Sequence, residues 1–226
     1  MEKRQLDSLR FERKYIIEKD RSWIFRNMLK EKKFSQLYKK RKVISIYFDT
    51  ADFKYFKENI EGVGSRIKPR LRWYEYSDNK EKSLITTLEI KKKKGFVGSK
   101  KQFNFGKYSC FSDIIKNIKN YDIKNNISKI VKEQVYPILI TSYNREYYIN
   151  NNNKIRSTID TNLEVIPINN ISFKLPLFKE ILEIKYNISF DDEYRRLISG
   201  KNFKFRFQKY SKYVTGLLFL KKNGLI

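Results

Sequence analysis

The sequence contains no histidine and a single cysteine, Cys110. The missing histidine excludes Ser-His-Asp and Cys-His catalysis, a histidine general base and histidine-liganded zinc. A lone cysteine excludes an intramolecular disulfide and a cysteine-rich zinc site. Any metal must therefore be held by carboxylates, water and substrate oxygens, and this kind of ligand set suits magnesium or manganese.

Long apolar runs are scarce as well. Residues 1–15 have no apolar core of the length that a signal peptide needs. The longest apolar stretch near the end, residues 214–220, is far too short to span a bilayer. We therefore expect a cytoplasmic protein.

Acidic residues are few compared with basic ones. The chain has 25 Asp and Glu against 50 Lys and Arg, a net charge of +25. Such an excess points to a polyanionic partner, which can be nucleic acid, an anionic membrane surface or a phosphate-rich substrate. Hydrophobic residues are 40% and aromatic residues 15%, too many for a disordered basic tail. No linker divides the 226 residues, so we assign residues 1–226 to a single domain.

The densest positive charge lies in residues 66–94, which predict two strands joined by a polar loop. Because side chains alternate along a strand, one face of the first strand carries four cations: Arg66, Lys68, Arg70 and Arg72. On the second strand, one face carries Leu84, Thr86, Leu88 and Ile90, and the other carries Thr87, Glu89, Lys91 and Lys93. Pro69 indicates an edge position or a bulge, with regular pairing beginning after it. Like charges repel across a sheet, so we expect a polyanion on the basic face.

The remaining patterns predict an α+β fold with about eight mostly antiparallel strands. Besides the hairpin, alternation indicates strands at residues 8–18, 43–49, 99–105, 141–149, 154–166 and 179–187, with a basic run at 39–42 preceding the second of these. Helical patterns occur at residues 22–32, near 52–56, twice within 112–135, and at 191–200 and 208–224.

The charged strand faces have two explanations. The ordinary one is a solvated outer face over a hydrophobic core. The other is a closed β-barrel with a polar lumen and helices packed on its outside. The charges are mainly cations, with one glutamate embedded on each of several strands, whereas a solvated sheet usually mixes signs. This pattern favours the barrel, where guanidinium groups would bind phosphate oxygens and glutamates would hold a divalent metal.

A series of motifs carries a family resemblance. In order they are RFERKY at 10–15, SIYFDT at 45–50, the basic strand with Arg70 and Arg72, LEIKKK at 88–93, SKKQF at 99–103, YNREYY at 143–148, STIDTNL at 157–163, LEIKY at 182–186 and SKY at 211–213. They resemble the triphosphate tunnel metalloenzyme, or CYTH-like, superfamily. Within it they are most similar to the VTC domain, the catalytic domain of the vacuolar transporter chaperone polyphosphate polymerase.

The resemblance implies an eight-stranded tunnel whose basic residues bind a nucleoside triphosphate and a growing phosphate chain. The catalytic residues that it implies are Arg70, Arg72, Arg145 and Lys212. The implied substrate-binding residues are Lys14, Lys91, Ser211, Tyr143 and either Lys100 or Lys101. The implied ligand of Mn²⁺ or Mg²⁺ is Glu183, and Glu12 and Glu89 are weaker candidates for metal-water contacts or for pairing with the cations.

One departure from the superfamily concerns the first strand. Hydrolytic tunnel enzymes typically begin with Glu-x-Glu-x-Lys, whereas this chain has Arg10, Glu12 and Lys14 at those positions. One metal carboxylate is therefore missing, which resembles the polymerase branch more than the triphosphatases.

The function implied by the resemblance is transfer of the γ-phosphoryl group of ATP to inorganic polyphosphate. The alternatives are a metal-dependent triphosphatase of the same fold and a non-catalytic module that binds polyphosphate or inositol phosphates. A nucleic-acid-binding module is disfavoured, because the sequence has neither an RNA-binding aromatic motif nor a helix-turn-helix signature. The resemblance also implies that membrane association would depend on a separate membrane-protein partner.

Overall fold

The computed structural model describes residues 10–76, 83–94, 97–199, 203 and 205–226. This part of the chain forms nine strands, one of them only two residues long, and six α-helices. The strands are β1 (Arg10–Glu18), β2 (Ser35–Asp49), β3 (Ser65–Tyr76), β4 (Leu84–Lys94), β5 (Val97–Tyr108), β6 (Tyr136–Ile149), β7 (Ile155–Pro167), β8 (Leu175–Pro176) and β9 (Lys179–Asn187). The helices are α1 (Trp23–Glu31), α2 (Lys54–Glu61), α3 (Phe111–Lys119), α4 (Tyr121–Val131), α5 (Asp191–Ile198) and α6 (Lys212–Lys222).

The strands belong to one sheet with the order β1-β9-β7-β6-β2-β3-β4-β5, and β8 pairs with β7. The strand pairs with a defined register (β1 with β9, β9 with β7, β3 with β4 and β4 with β5) are all antiparallel. Eight long strands, helices between them and a C-terminal helix confirm the predicted α+β class. Within the described residues, the hydrogen-bonded path starts at β1 and ends at β5 without a pairing that closes it.

The chain divides into two compact units, each made from three segments. Unit 1 comprises Met1–Arg41, Tyr143–Leu163 and Pro176–Tyr210, and unit 2 comprises Lys42–Ser142, Glu164–Leu175 and Ser211–Ile226. Since neither unit is a continuous stretch, the assignment of residues 1–226 to a single domain stays a prediction.

Unit 1 has a core of aromatic and branched aliphatic side chains from β1, β7, β9, α1 and α5. Along β1, Tyr15 and Ile17 point into this core, while Glu12 and Lys14 alternate with them on the other face. Along β9, Leu182 and Ile184 are fully buried in the same core. Because side chains alternate along a strand, β1 has an apolar face that packs in the core and a charged face that does not contribute to this core.

Unit 2 repeats this arrangement on β3 and β4. Leu71, Trp73, Leu88 and Ile90 are buried in its core, against the isoleucines of α3 among others. Each such side chain contributes about 1.5–3 kcal/mol of hydrophobic free energy. The apolar face of the hairpin is thus covered by helices, as the barrel interpretation predicts, and the basic face lies on the opposite side of the strands.

Two details of the strand predictions are wrong. Regular pairing was predicted to begin after Pro69, but β3 pairs with β4 from Ser65 onwards, and Pro69 keeps Ile90 as its partner. β3 lies between β2 and β4, so Pro69 is not at a sheet edge, and its missing amide donor removes one hydrogen bond from an interior strand. The register shift lies instead between Thr86 and Thr87, where β4 meets β5. The basic run at 39–42 belongs to β2, which starts at Ser35.

In the part of the chain that the structure describes, no helix combines the length and apolar character needed to cross a membrane.

Candidate functional site

The register of β3, β4 and β5 assembles a charged cluster in unit 2. Arg70 lies opposite Glu89 on β4, and Glu89 lies opposite Gln102 on β5. Arg72 lies two residues from Arg70 and therefore on the same face. We call this group, with Lys100, the guanidinium cluster.

The Glu89 carboxylate is the centre of the guanidinium cluster. One of its oxygens, Oε2, accepts hydrogen bonds from Arg70 at 2.6 Å (Nη2) and 2.8 Å (Nε), and lies 3.5 Å from Nη1 of Arg72. The other, Oε1, lies 3.1 Å from Nζ of Lys100 and 3.0 Å from Nε2 of Gln102. Glu89 is only 2% exposed. Burial alone would raise its pKa, but the charges of Arg70, Arg72 and Lys100 outweigh burial and lower the pKa to about 2.

Tyr47 of β2 adds a phenol to this cluster. Nη1 of Arg70 donates to its hydroxyl at 3.4 Å, and its ring stacks on Tyr213 of α6 with 5.3 Å between the centroids. Burial alone would raise the pKa of the Tyr47 phenol, but the positive charges of Arg70, Arg72 and Lys212 outweigh it and lower the pKa. The lowered pKa of Tyr47 indicates a strongly positive electrostatic potential at its hydroxyl.

The first turn of α6 supplies further predicted binding residues. Ser211 is the N-cap residue; its hydroxyl accepts from the backbone N–H of Val214 and from Nζ of Lys68 at 3.1 Å. Lys212 is the first residue of the helix, where the helix dipole also favours anions. The helix is held in place from β2, because Tyr213 donates a hydrogen bond to the buried carboxylate of Asp49.

The lysines of β4 and β5 fall on two different faces. Lys68, Lys91 and Lys100 are consecutive cross-strand partners on β3, β4 and β5, a row of like charges that costs stability unless an anion lies against it. Lys101 is paired with Ile90, so alternation places it on the face opposite to that of Lys100. The contact with Glu89 therefore associates Lys100, and not Lys101, with the guanidinium cluster.

Unit 1 carries a second charged group, which we call the carboxylate cluster: Glu12, Lys14, Glu183 and Lys185. On the antiparallel pair β1–β9, Glu12 lies opposite Lys185 and Lys14 lies opposite Glu183. Lys185 approaches both carboxylates, with its Nζ 2.5 Å from Oε1 of Glu183 and 3.8 Å from Oε1 of Glu12. Lys14 lies 3.6 Å from the other oxygen of Glu183. Opposite charges thus alternate along and across the two strands.

Glu183 is buried, and burial alone would raise its pKa. The charges of Lys185, Lys14 and Arg145 outweigh burial and hold the pKa of Glu183 well below its ordinary value. Glu183 is therefore an ionised carboxylate, which is the form that binds a metal.

Arg145 is held in unit 1 by a partner that the sequence analysis did not select. Its Nε and Nη2 donate to the two oxygens of Asp160 at 2.6 and 2.7 Å, a bidentate pair, and Asp160 is fully buried. The guanidinium carbon also lies 5.2 Å from the ring centroid of the buried Tyr143. Burial would lower the pKa of Arg145, but Asp160 outweighs it and raises the pKa. The two remaining predicted residues, Arg145 and Tyr143, are thus in contact.

Comparison with known protein families identifies the family of this chain. The VTC domain family profile matches residues 9–221, nearly the whole chain. The chain belongs to the VTC domain family. No curated protein sequence matches this VTC domain.

Three solved structures resemble the fold of this VTC domain. A putative adenylate cyclase from Vibrio parahaemolyticus has a TM-score of 0.55 at 13% identity, over 92% of this chain and 98% of its own. A Pyrococcus horikoshii protein has a TM-score of 0.53 at 13% identity, over 94% and 99%. A putative adenylyl cyclase from Hippeastrum, described as having a dominant triphosphatase activity, has a TM-score of 0.50 at 12% identity, over 92% and 95%. At these identities the likeness shows a shared fold and no more.

Among the predicted metal ligands of the VTC domain, the two carboxylates of unit 1 fit a divalent metal and the one of unit 2 does not. Glu12 and Glu183 share the contact with Lys185 and are oxygen donors, and Mg²⁺ typically takes one or two carboxylates together with water and substrate phosphates. Across the described ranges, no group of three or more cysteine, aspartate or glutamate side chains is placed to hold a metal ion. Glu89 belongs to unit 2 and contacts three cations, so its geometry supports the pairing role instead.

Sequence reasoning missed Tyr47, Asp160 and Lys185 as members of these clusters. Each carried a signal. Tyr47 alternates with Ser45 and Asp49 on a predicted strand, Asp160 lies in the STIDTNL motif, and Lys185 is two residues after Glu183. Alternation shows which residues share a face, but a hydrogen-bond partner on another strand is visible only once the strands are paired.

Proposed function

We propose that this VTC domain transfers the γ-phosphoryl group of ATP to inorganic polyphosphate. The observation that carries the proposal is the guanidinium cluster: two arginines, one of them 6% exposed, and a lysine gathered on one buried carboxylate. Folding does not require such a concentration of positive charge on neighbouring strands. Guanidinium forks match phosphate oxygens in bidentate geometry, so phosphate groups are the anions that the cluster suits best.

The proposed roles follow from the positions of the cations. Arg70 and Arg72 bind oxygens of the transferred phosphoryl group, and Lys212, with Ser211, binds phosphate at the first turn of α6. Lys91 and Lys100 extend the positive row along which a phosphate chain lies. Phosphoryl transfer depends mainly on positioning and charge stabilisation, so the chemistry needs neither histidine nor a covalent nucleophile.

The carboxylate cluster is proposed to serve the same reaction. Lys14 and Arg145 are the phosphate-binding cations of unit 1, and Glu183 with Glu12 would hold Mn²⁺ or Mg²⁺. A bound divalent ion supplies neutralisation of charge on phosphate oxygens. The single tunnel, the preference for ATP, the cytoplasmic location and a separate membrane-protein partner stay predictions from the family resemblance.

A triphosphatase is the second candidate. Glu12 and Lys14 on β1 match the last two positions of the Glu-x-Glu-x-Lys strand of hydrolytic tunnel enzymes, and both lie in the carboxylate cluster. Such an enzyme would bind the same triphosphate but would release only orthophosphate. Arg10 in place of the first glutamate supports the polymerase instead, because the carboxylate set around metal and water is smaller.

The test is to incubate the purified chain with ATP and Mn²⁺ and to assay polyphosphate and orthophosphate in the same samples. Arg70→Ala and Glu183→Ala should each lower polyphosphate synthesis about 100-fold or more. The first removes a cation that binds the transferred phosphoryl group, and the second removes a proposed ligand of the metal. The controls Arg195→Ala and Glu18→Ala remove one exposed partner of a surface ion pair and should retain synthesis.

Each outcome has a distinct meaning. Unchanged synthesis in both site variants would refute the site assignment. Orthophosphate without polyphosphate would identify the triphosphatase, and binding of polyphosphate without turnover would identify a binding module. Tight binding of nucleic acid at physiological salt, without binding of ATP or polyphosphate, would overturn the phosphate-transfer proposal altogether.

A further inference from the structure

Lys185 lies where the proposed function requires a divalent metal to bind. Its ammonium group contacts Oε1 of Glu183 at 2.5 Å and approaches Oε1 of Glu12 at 3.8 Å, so one cation connects the two carboxylates. We propose that Lys185 is a tethered competitor of the metal, which occupies the carboxylate cluster in the substrate-free protein and moves to phosphate oxygens when metal and triphosphate bind together. This inference rests on the proposed function for the identity of the metal carboxylates.

Both oxygens of Glu183 are engaged by lysines. Lys185 contacts Oε1, and Lys14 lies 3.6 Å from Oε2. If a metal ion gained a Glu183 oxygen at bonding distance while both ammonium groups stayed in place, three cations would share one carboxylate within a few ångström, and their mutual repulsion opposes this. One of the two lysines must move first.

The surroundings indicate that Lys185 is the lysine that moves. Nζ of Lys14 also donates to the backbone carbonyl of Tyr210 at 3.0 Å, and the Lys14 side chain is only 24% exposed. The Lys185 side chain is 40% exposed, and its contact with Glu12, at 3.8 Å, is longer than its contact with Glu183, at 2.5 Å. On its other side, Lys185 lies opposite Arg156 of β7, a cation that favours its departure.

The charge balance predicts that metal binding depends on the substrate. Glu12 and Glu183 together balance the charges of Lys14 and Lys185, so the cluster offers a free divalent ion no net negative charge. A triphosphate brings its own negative charge and gives the released ammonium group a new partner. Metal and triphosphate should therefore strengthen each other's binding, which is a coupling between two ligands with Lys185 as the moving element.

The experiment measures binding of Mn²⁺ alone to the full chain, from the electron paramagnetic resonance signal of the free ion. Lys185→Met and Lys185→Gln should each bind Mn²⁺ about tenfold more tightly than the unchanged protein, because one unit positive charge beside the metal is removed. Lys179→Met is the matched control, since Lys179 lies on the same strand and pairs with Glu18 across the same β1–β9 ladder. It should leave the affinity within about twofold, as expected for an exposed ion pair.

A double variant ties the effect to the proposed carboxylate. Glu183→Gln in the Lys185→Met protein should abolish the added affinity, and circular dichroism should show that all variants are folded. Equal Mn²⁺ affinity in the unchanged protein and both Lys185 variants overturns the inference, as does an added affinity that survives Glu183→Gln.

The same preparations separate this inference from the proposed function. Polyphosphate synthesis combined with unchanged Mn²⁺ affinity removes the inference and keeps the polymerase. Tighter, Glu183-dependent Mn²⁺ binding in a chain that makes no polyphosphate keeps the inference and removes the polymerase.

Discussion

Replacing Glu89 by glutamine should destabilise the folded protein at neutral pH. Glu89 is nearly inaccessible to solvent and its carboxylate contacts Arg70, Arg72 and Lys100. Glutamine keeps the shape and part of the hydrogen bonding but removes the negative charge. Arg72, itself 6% exposed, would then lose its contact with the ionised Glu89 carboxylate, and removing one member of a buried ion pair is strongly destabilising.

The size of the effect follows from the pKa of Glu89. Its pKa falls from 4.5 to about 2 in the folded protein. A shift of this size corresponds to about 3 kcal/mol of folding free energy that the ionised carboxylate contributes at pH 7. For a chain of this length, the loss should lower the melting temperature by about 6 to 12 °C.

The same contribution should depend on pH. Because folding lowers the pKa of Glu89, the stabilisation is fully present above the unfolded pKa of 4.5 and is lost as the pH falls towards the folded value of about 2. At pH 3, only about 1 kcal/mol of it should remain. The deficit of Glu89→Gln relative to the unchanged protein should therefore shrink on acidification.

Urea unfolding at pH 7 and at pH 3 measures both quantities. Glu61→Gln is the control, because Glu61 is an exposed carboxylate at the end of α2 in the same unit. A deficit below about 1 kcal/mol at pH 7, or one that does not change at pH 3, would show that the ionised Glu89 is not a major source of stability. A loss of Mn²⁺ affinity in Glu89→Gln would favour a metal-ligand role over the pairing role.

Three other substitutions test the contacts around the two clusters. Nearby cations lower the pKa of Tyr47, so the Tyr47→Phe protein should form one tyrosinate fewer below a pH of about 10, as measured by ultraviolet absorbance. Identical titration curves for the two proteins would contradict this. Asp160→Asn should lower the free energy of unfolding by about 3 to 5 kcal/mol, measured in urea, because Arg145 loses a buried bidentate partner; a loss under about 1 kcal/mol would argue against it. Asp49→Asn should cost about 2 kcal/mol in the same assay, since it weakens acceptance from two amides of α2 and from Tyr213, and wild-type stability would refute that role.

The strands were largely predictable, because period-two alternation is a local property of the sequence. The strand predicted at residues 179–187 coincides with β9. β2 was predicted too short, since a run of four basic residues at 39–42 looks like a loop until a neighbouring strand supplies its ladder. The sequence also predicted irregular pairing at Pro69, because proline lacks an amide donor. The pairing of Pro69 with Ile90 became evident only from the register of β3 and β4.

The candidate site was predictable to a smaller extent. Alternation placed Arg70 and Arg72 on one face and Glu89 on the charged face of the next strand, and the register confirms that these faces coincide. Alternation places Lys100 and Lys101 on opposite faces of their strand, but it does not say which of these faces carries Glu89 on the neighbouring strand. The register of β5 against β4 makes that choice, since it brings Lys100 to Glu89.

By itself, the sequence determined the α+β class, the excess of positive charge, the absence of histidine, the exclusion of an intramolecular disulfide, and the motif series of the VTC domain. These are properties of composition and of short spacings along the chain. Only the tertiary structure decided the pairs: Glu89 with three cations, Arg145 with Asp160, and Lys185 with Glu12 and Glu183. Such pairs depend on strand register and on burial, which shift pKa values and select partners many residues apart in the chain, and neither quantity can be read from one strand alone.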